Sequence, residues 1–316
     1  MEQISTSNIP WRKRIKQLYF PTLAKRLGYS NKDILVIVNI DDVGLHKDVT
    51  EASFEALKFG MVKTGSIMVP APNFEQAIDL WLENPEIDLG IHLTLTSDDW
   101  GERYSGPTVL PKSDVPSLYS PQGNMWTTDE AFIMHAQTED VEKEMEAQIK
   151  KVLDTGLKPS HLDHHMSIYS HPYFLTILAR LSRKYVIPMH IPSRRRYKLP
   201  FFKNNITSLR KRGYVFPDTQ MGIYQKEVSD LTFDFWKTKY HDYLRSLKPG
   251  VHIIKVHIAF QTKELQNITG VLDSSIRQMD YDVWTSDDTK KLAKELGIIF
   301  IGYRPLQHLQ EKLMSC

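Results

Sequence analysis

The run Ile34-Leu35-Val36-Ile37-Val38-Asn39-Ile40 constrains the fold more than any other stretch of the chain. A short, continuous, β-branched run reads as a strand buried on both faces, which is the habit of parallel sheets. It stops at Asp41-Asp42-Val43-Gly44, and Val49, Ala52, Ala56 and Phe59 then recur at helical spacing before Gly60. A second strand, Gly65 to Val69, breaks at Pro70 and Pro72. A helix from about Phe74 to Leu82 follows the start signal Asn73, and a third strand covers Ile87 to Leu95. Strands and helices alternating through connections of a few residues predict βα units with right-handed crossovers.

The rhythm continues with interruptions. Residues 97–127 are turn-rich and without period, and a loop of that length in a compact domain is functional or mobile. A helix with Val141, Met145, Ile149 and Val152 on one face ends at Gly156, and a short strand enters a loop at Pro159-Ser160-His161-Leu162-Asp163-His164-His165. A helix over 173–184 and a strand at Ile187 to Ile191 come next. Residues 193–224 read as irregular and hold Arg194-Arg195-Arg196 and Arg210-Lys211-Arg212. A helix with Phe233, Trp236, Tyr240 and Leu244 precedes a strand from Val251 to Ile258. A helix around Thr289 to Leu296 and a strand from Ile298 to Ile301 complete the pattern. Seven or so strands spread over almost the whole chain favour one α/β barrel domain over two domains. Residues 31–316 are read as that domain and residues 1–30 as a basic helical arm, centred on Trp11 to Phe20 and packed outside it.

Composition limits the function classes. The 316 residues carry 40 Lys+Arg against 38 Asp+Glu, a net charge of +2 that gives no global electrostatic case for nucleic acid or an anionic membrane. The one cysteine, Cys316, allows no intramolecular disulfide. No apolar run approaches the ~20 residues that span a bilayer, and the first 30 residues lack the apolar core of a signal peptide. A cytoplasmic protein is expected.

Polar residues collect where strands finish. Asp41-Asp42 end the first strand, His92 lies near the end of the third, His161, Asp163, His164 and His165 follow a middle strand, and a late strand delivers His257. In parallel α/β folds these ends converge on one face. Taken singly, an Asp-Asp pair also suits a phosphate-transfer aspartate or a helix N-cap, and His92 a hydrogen-bonded core histidine. Together they suit metal-assisted hydrolysis, in which one Asp and two His hold a divalent ion, a second carboxylate takes a proton from water and a further histidine returns one. A metal-dependent phosphohydrolase lacks a phosphate cradle here, and a non-catalytic sugar-binding scaffold would not need the acid and imidazole pattern that this chain carries.

Several of these segments resemble the YdjC/ChbG-type carbohydrate deacetylases. Asn39-Ile40-Asp41-Asp42-Val43-Gly44-Leu45 is similar to that family's opening Asn-Ala-Asp-Asp-Phe-Gly-Leu, and Gly90-Ile91-His92-Leu93-Thr94-Leu95 to its Gly-x-His-Leu-x-Leu. Pro159 to His165 resembles its Pro-Thr-His-x-Asp-Ser-His. Lys63 to Val69, Val256-His257-Ile258-Ala259-Phe260 and Arg277 with Asp282 to Ser286 fall in order with other family segments. The resemblance runs from about residue 33 to 303 and implies a distorted (β/α) barrel, TIM-barrel-like, that removes N-acetyl groups from sugars with one divalent metal ion, Mg²⁺ or Zn²⁺.

Carried over by residue, the resemblance implies Asp42, His92 and His165 as metal ligands, Asp41 as general base and His257 as the acid. His161 and Asp163 would orient His165, and Arg277 would stand behind the ligands. The implied partner is an N-acetylated sugar, with no nucleic acid and no membrane; a homodimer is compatible with it. Val43, His164, Ile258 and the run Met166-Ser167-Ile168-Tyr169 depart from the family pattern without removing a ligand. Trp100, Tyr104, Tyr119, Trp126 and Trp284 fall in or near loops on the expected side, where one or two would meet a sugar face.

Overall fold

The computed structural model describes residues 21–97, 106–166, 171–191, 200–223 and 231–315. Residues 1–20 of the basic arm read over 1–30 lie outside them, as do Trp100, Tyr104 and Arg194 to Arg196; residues 21–30 are described and pack Ala24 into the core.

The long apolar run forms β1 (Ile34–Val43), and six more strands surround it: β2 (Thr64–Ile67), β3 (Asp88–Leu93), β4 (Leu162–His164), β5 (Thr219–Gly222), β6 (Gly250–Val256) and β7 (Ile298–Phe300). They pair in the order β4-β3-β2-β1-β6-β5, with β7 also on β1, and every pairing is parallel. One edge of β1 is filled by β6 from Ile34 to Ile40. Its other edge is shared, with β7 against Ile34 to Val36 and β2 against Asn39 to Val43. The sheet curls toward closure, since the segment after β4 bonds to it through Met189 and His190 Nε2 lies 2.9 Å from Gln220 Oε1 of β5. The architecture is the α/β barrel expected, in one domain.

Two cores follow from the pleat, because successive strand residues face opposite sides. Val36, Val38, Ile40, Ile254 and Val256 face the outer helices in a large cluster with Trp81, Trp236 and Trp284. Leu35, Ile37, Val251 and Ile253 face inward and are plugged from below by Tyr303, Ala24 and Leu306. Ala24 belongs to α1 (Leu23–Arg26). Trp284 is therefore a fully buried packing residue, edge-on to Tyr240 and Phe300, and takes no part in a sugar platform.

The connecting helices run α2 (Lys47–Phe59), α3 (Phe74–Glu83), α4 (Asp129–His135), α5 (Thr138–Leu153) and α6 (Pro172–Tyr185) before β5. The turn-rich stretch before α4 is pinned where it is described: Glu144 of α5 accepts from the Val109 and Leu110 amides at 2.8 and 3.0 Å, and Gln148 bonds both ways with the Thr94 backbone. The stretch read as irregular after residue 193 contains α7 (Pro200–Lys211) and β5. The strand was hidden because it is four half-buried residues without an apolar run; the helix opens on Pro200, an ordinary first helical position, and lies between the two basic runs. Conversely, the strand expected at Ile187 to Ile191 makes only an isolated bridge to Leu162. After α8 (Phe233–Ser246) and β6, the chain forms α9 (Lys263–Thr269), α10 (Val271–Trp284), α11 (Asp287–Glu295) and, after β7, α12 (Arg304–Met314).

Candidate metal centre

The inward-facing positions turn polar toward the carboxyl ends of the strands. Asn39 and Asp41 of β1, Ser66 of β2, His92 of β3, Asp163 of β4 and Lys255 of β6 form one buried network. Asn39 Nδ2 donates to Asp41 Oδ1 at 2.8 Å and to Asp163 Oδ2 at 3.1 Å. Lys255 Nζ lies 2.9 Å from Asp41 Oδ2 and 2.7 Å from Asp163 Oδ1. Ser66 Oγ is 3.0 Å from His92 Nδ1 and donates to Asp163 Oδ2 at 3.3 Å. His92 and Asp163 are register partners on neighbouring strands, so their side chains rise on the same face.

Adjacent residues of a regular strand cannot share a face, yet Asp41 and Asp42 enter the same pocket. The reason is local. The β1–β2 register slips between Ile40 and Val43, and Asp42 adopts a left-handed conformation with φ 66°. Aspartate tolerates that region better than most side chains. The twist turns Asp42 back inward, where Oδ1 lies 3.2 Å from His92 Nε2 and 3.3 Å from His165 Nδ1. His165 sits just past β4, its amide donating to Leu93 O at 2.9 Å. Asp42 Oδ2 accepts from Arg277 Nη2 of α10 at 2.8 Å and lies 3.9 Å from His257 Nε2.

The electrostatics separate the two carboxylates. Burial raises both, but the Arg277 guanidinium and the two imidazoles hold Asp42 well below the usual carboxylate range. Asp41 is pushed up to about 7, first by burial and then by the Asp163 charge, with Lys255 opposing. Burial lowers His257 to about 4 despite the nearby Asp42, so it is neutral near pH 7. Its backbone amide donates to Asp280 Oδ2 at 2.9 Å, and Asp280 also accepts from Trp236 Nε1 and Tyr240, which anchors the end of β6 against α8 and α10.

One Asp42 oxygen and one nitrogen each from His92 and His165 lie within 4.8 Å of one another. The donor set fits a divalent cation of the kind that accepts mixed nitrogen and oxygen ligands. Arg277 engages Oδ2 and leaves Oδ1 facing both imidazoles, while the hydrogen-bonded Nδ1 of His92 leaves Nε2 aimed at the same point.

The structure brings Asp41, Asp42, His92, His165, Asp163, Arg277 and His257 to one place. It gives Asp163 and His161 positions other than those expected. Asp163 is 3.7 Å from His92 Nδ1 and serves that ring, not His165. His161 lies a layer lower, stacked on Tyr303 with ring centroids 3.8 Å apart, because residues two apart on a strand share a face but sit at different depths. Lys255, Asn39 and Ser66 had no role in the sequence reading. Lys255 carried a signal, a lone charge inside Val251-His252-Ile253-Ile254-Lys255-Val256, since a lysine inside a strand buried on both faces needs a buried carboxylate partner.

Fold and site together define an α/β barrel with an Asp-His-His cluster at the carboxyl ends of its strands. The chain belongs to the YdjC-like protein family, whose profile matches residues 35–295. It is 28% identical over 287 residues to a carbohydrate deacetylase of Enterococcus faecalis, covering 88% of this chain and 99% of that one. With a carbohydrate deacetylase of Brevibacillus brevis the identity is 34% over 157 residues, half of this chain and 59% of the relative. The crystal structure of EF3048 from Enterococcus faecalis V583, a protein with a suggested role in cellobiose-phosphate cleavage, superposes with a TM-score of 0.70 at 27% identity and covers 87% of this chain and 99% of that one.

Proposed function

We propose that the protein is a metal-dependent carbohydrate deacetylase that hydrolyses the N-acetyl group of an amino sugar or its oligosaccharide. The observation that carries this reading is the convergence of Asp42, His92 and His165 beside a second buried carboxylate, Asp41, whose affinity for protons is raised. The names of the relatives support it.

Asp42, His92 and His165 would hold one divalent ion, Mg²⁺ or Zn²⁺, which supplies Lewis acidity toward an amide oxygen and toward water. Asp41 takes the proton of the attacking water as the tetrahedral adduct forms. Lys255 and Asn39 fix both oxygens of Asp41, so the base does not rotate away from that proton. His257 gives a proton to the departing nitrogen. His257 starts neutral, so it takes that proton from solvent, and Asp41 returns the proton it gained to solvent when acetate leaves. Asp163 and Ser66 hold the ring of His92. Arg277 orients Asp42 by engaging its second oxygen, and residues 31–316 form the catalytic domain.

Acetate release from a panel of N-acetylated mono- and oligosaccharides, before and after chelation, tests the reading. Release that stops on chelation and returns with metal is expected, and Asp41→Asn is expected to lose at least about a hundredfold in rate. Equal release by the Asp41→Asn protein would refute the assignment of the base, and tight sugar binding without turnover under every metal would refute the enzyme.

A further inference from the structure

The opposite end of the barrel carries a second site of different chemistry. Arg26 of α1, Arg183 in the last turn of α6, and Arg210, Lys211 and Arg212 at the end of α7 line a cleft of about 500 Å³ beside Leu313 of α12. Its place in the fold follows from its contacts. Arg210 pairs at 3.2 Å with Asp218, whose other oxygen accepts from the Val251 amide at 3.1 Å at the beginning of β6. Gly213 packs on Leu313. The cleft therefore lies at the amino ends of the strands, below the Tyr303 and Leu306 plug, whereas the candidate metal centre lies at the carboxyl ends.

Cations at helix carboxyl termini are ordinary partners of the helix dipole, one or two to a helix. Here three helix ends deliver five to one concavity. Arg210 has Asp218 and also stacks over Phe216 with its guanidinium carbon 4.7 Å from the ring centroid. Among the described residues no carboxylate pairs with Arg26, Arg183, Lys211 or Arg212. The crowding shows in Arg26, lowered by burial and by the positive charge of Arg210. Among the described residues these four cations stand without a carboxylate partner, and a bound anion relieves their mutual repulsion. Guanidinium groups match phosphate oxygens two at a time, so four cations lining a cleft of about 500 Å³ suit linked phosphate groups better than a single one.

We propose that this cleft binds an anion bearing two or more linked phosphate groups, through Arg26, Arg183, Lys211 and Arg212. Inorganic polyphosphate and the polyphosphate tail of a nucleotide share that chemistry. The site is independent of the deacetylase reading, since none of its residues touches the Asp-His-His cluster.

Isothermal titration of the full chain, stripped of metal and dialysed free of chelator, with inorganic pyrophosphate, tripolyphosphate, ATP and adenosine tests the proposal. Saturable binding of one tripolyphosphate per chain, weakened by added salt, is expected, with none for adenosine. ATP binding tighter than tripolyphosphate identifies a nucleotide as the ligand, and equal binding identifies the phosphate chain alone. The exposed pair R183Q/R212Q should weaken binding about tenfold or more while retaining the wild-type circular dichroism. The pair K291Q/K294Q, which removes the same charge from α11, should leave it unchanged. No saturable binding at millimolar ligand, or equal weakening in the two double variants, overturns the site.

Discussion

Lys255 Nζ stands 2.9 Å from Asp41 Oδ2, an ion pair closed off from solvent inside the barrel. The same ammonium reaches Asp163 at 2.7 Å, so one cation holds together two carboxylates delivered by β1 and β4. Removing one partner of a buried charge pair leaves the other uncompensated, which costs about 3–5 kcal/mol. Lys255→Met, similar in length and uncharged, should lower unfolding free energy by that order in urea titrations. It should also move the acid limb of any activity to higher pH, because Lys255 opposes the rise of Asp41. An unchanged limb would show that the pair only braces the sheet.

Asp42→Asn separates the charge of the side chain from the shape of the backbone. Asparagine tolerates the left-handed region, so the turn at φ 66° should persist, but the buried Arg277 guanidinium loses one of its two carboxylate partners and the melting temperature of the metal-free protein should fall. Zinc affinity, measured by competition with a chromophoric chelator, should fall by more than the roughly 10–100-fold that loss of an outer hydrogen-bond partner costs a metal site. Asp42→Ala should lose the same affinity and, in addition, about 1–2 kcal/mol of stability from left-handed strain.

The pH dependence follows from Asp41. The carboxylate acts as a base only when unprotonated, so the rate should hold at high pH and fall as pH drops through its working value. Burial places that value at about 7 in the free protein, and a neighbouring cation draws it lower. The acid limb of kcat/KM should therefore lie between the ordinary 3.8 and about 7. A profile flat down to 3.8 would remove Asp41 from the role.

Gly90 tests how tightly β3 and β4 approach. A methyl group there would lie 2.6 Å from the His161 carbonyl oxygen, a backbone atom that cannot swing aside, and would also strike the His161 ring. That carbonyl accepts from the Ile91 amide at 2.9 Å, so relief of the clash breaks the ladder carrying His92. Gly90→Ala should cost at least about 1–3 kcal/mol in chemical denaturation, and metal affinity should fall with it.

Much of this site was legible because each chemical residue sits at the end of an apolar run. Asp41, Asp42 and His92 announce themselves against Ile34 to Ile40 and Ile87 to Ile91, and three histidines within five positions mark β4. What escaped was pairing across distance. Nothing near Lys255 in the chain shows that its partners are Asp41 and Asp163, and Asn39 and Ser66 look like ordinary strand residues until their neighbours are known. The family resemblance put His161 and Asp163 together behind His165; the pleat gives them one face but different layers. Inside residues 193–224, β5 is four half-buried residues with no apolar run to betray it, whereas the twelve-residue α7 does carry an amphipathic period, set among basic residues that drew the reading toward a loop.

The way β1 divides one edge between β7 and β2 bears on how the chain is made. Both complete neighbours of its first half, β6 and β7, leave the ribosome long after it does. Throughout synthesis the strand that carries Asp41 and Asp42 is thus an apolar ribbon with unpaired amides, the kind of edge that recruits the wrong partner. β2 covers only the Asn39 to Val43 end early, so the topology leaves the edge that β6 completes open until late in synthesis, whatever the finished protein binds.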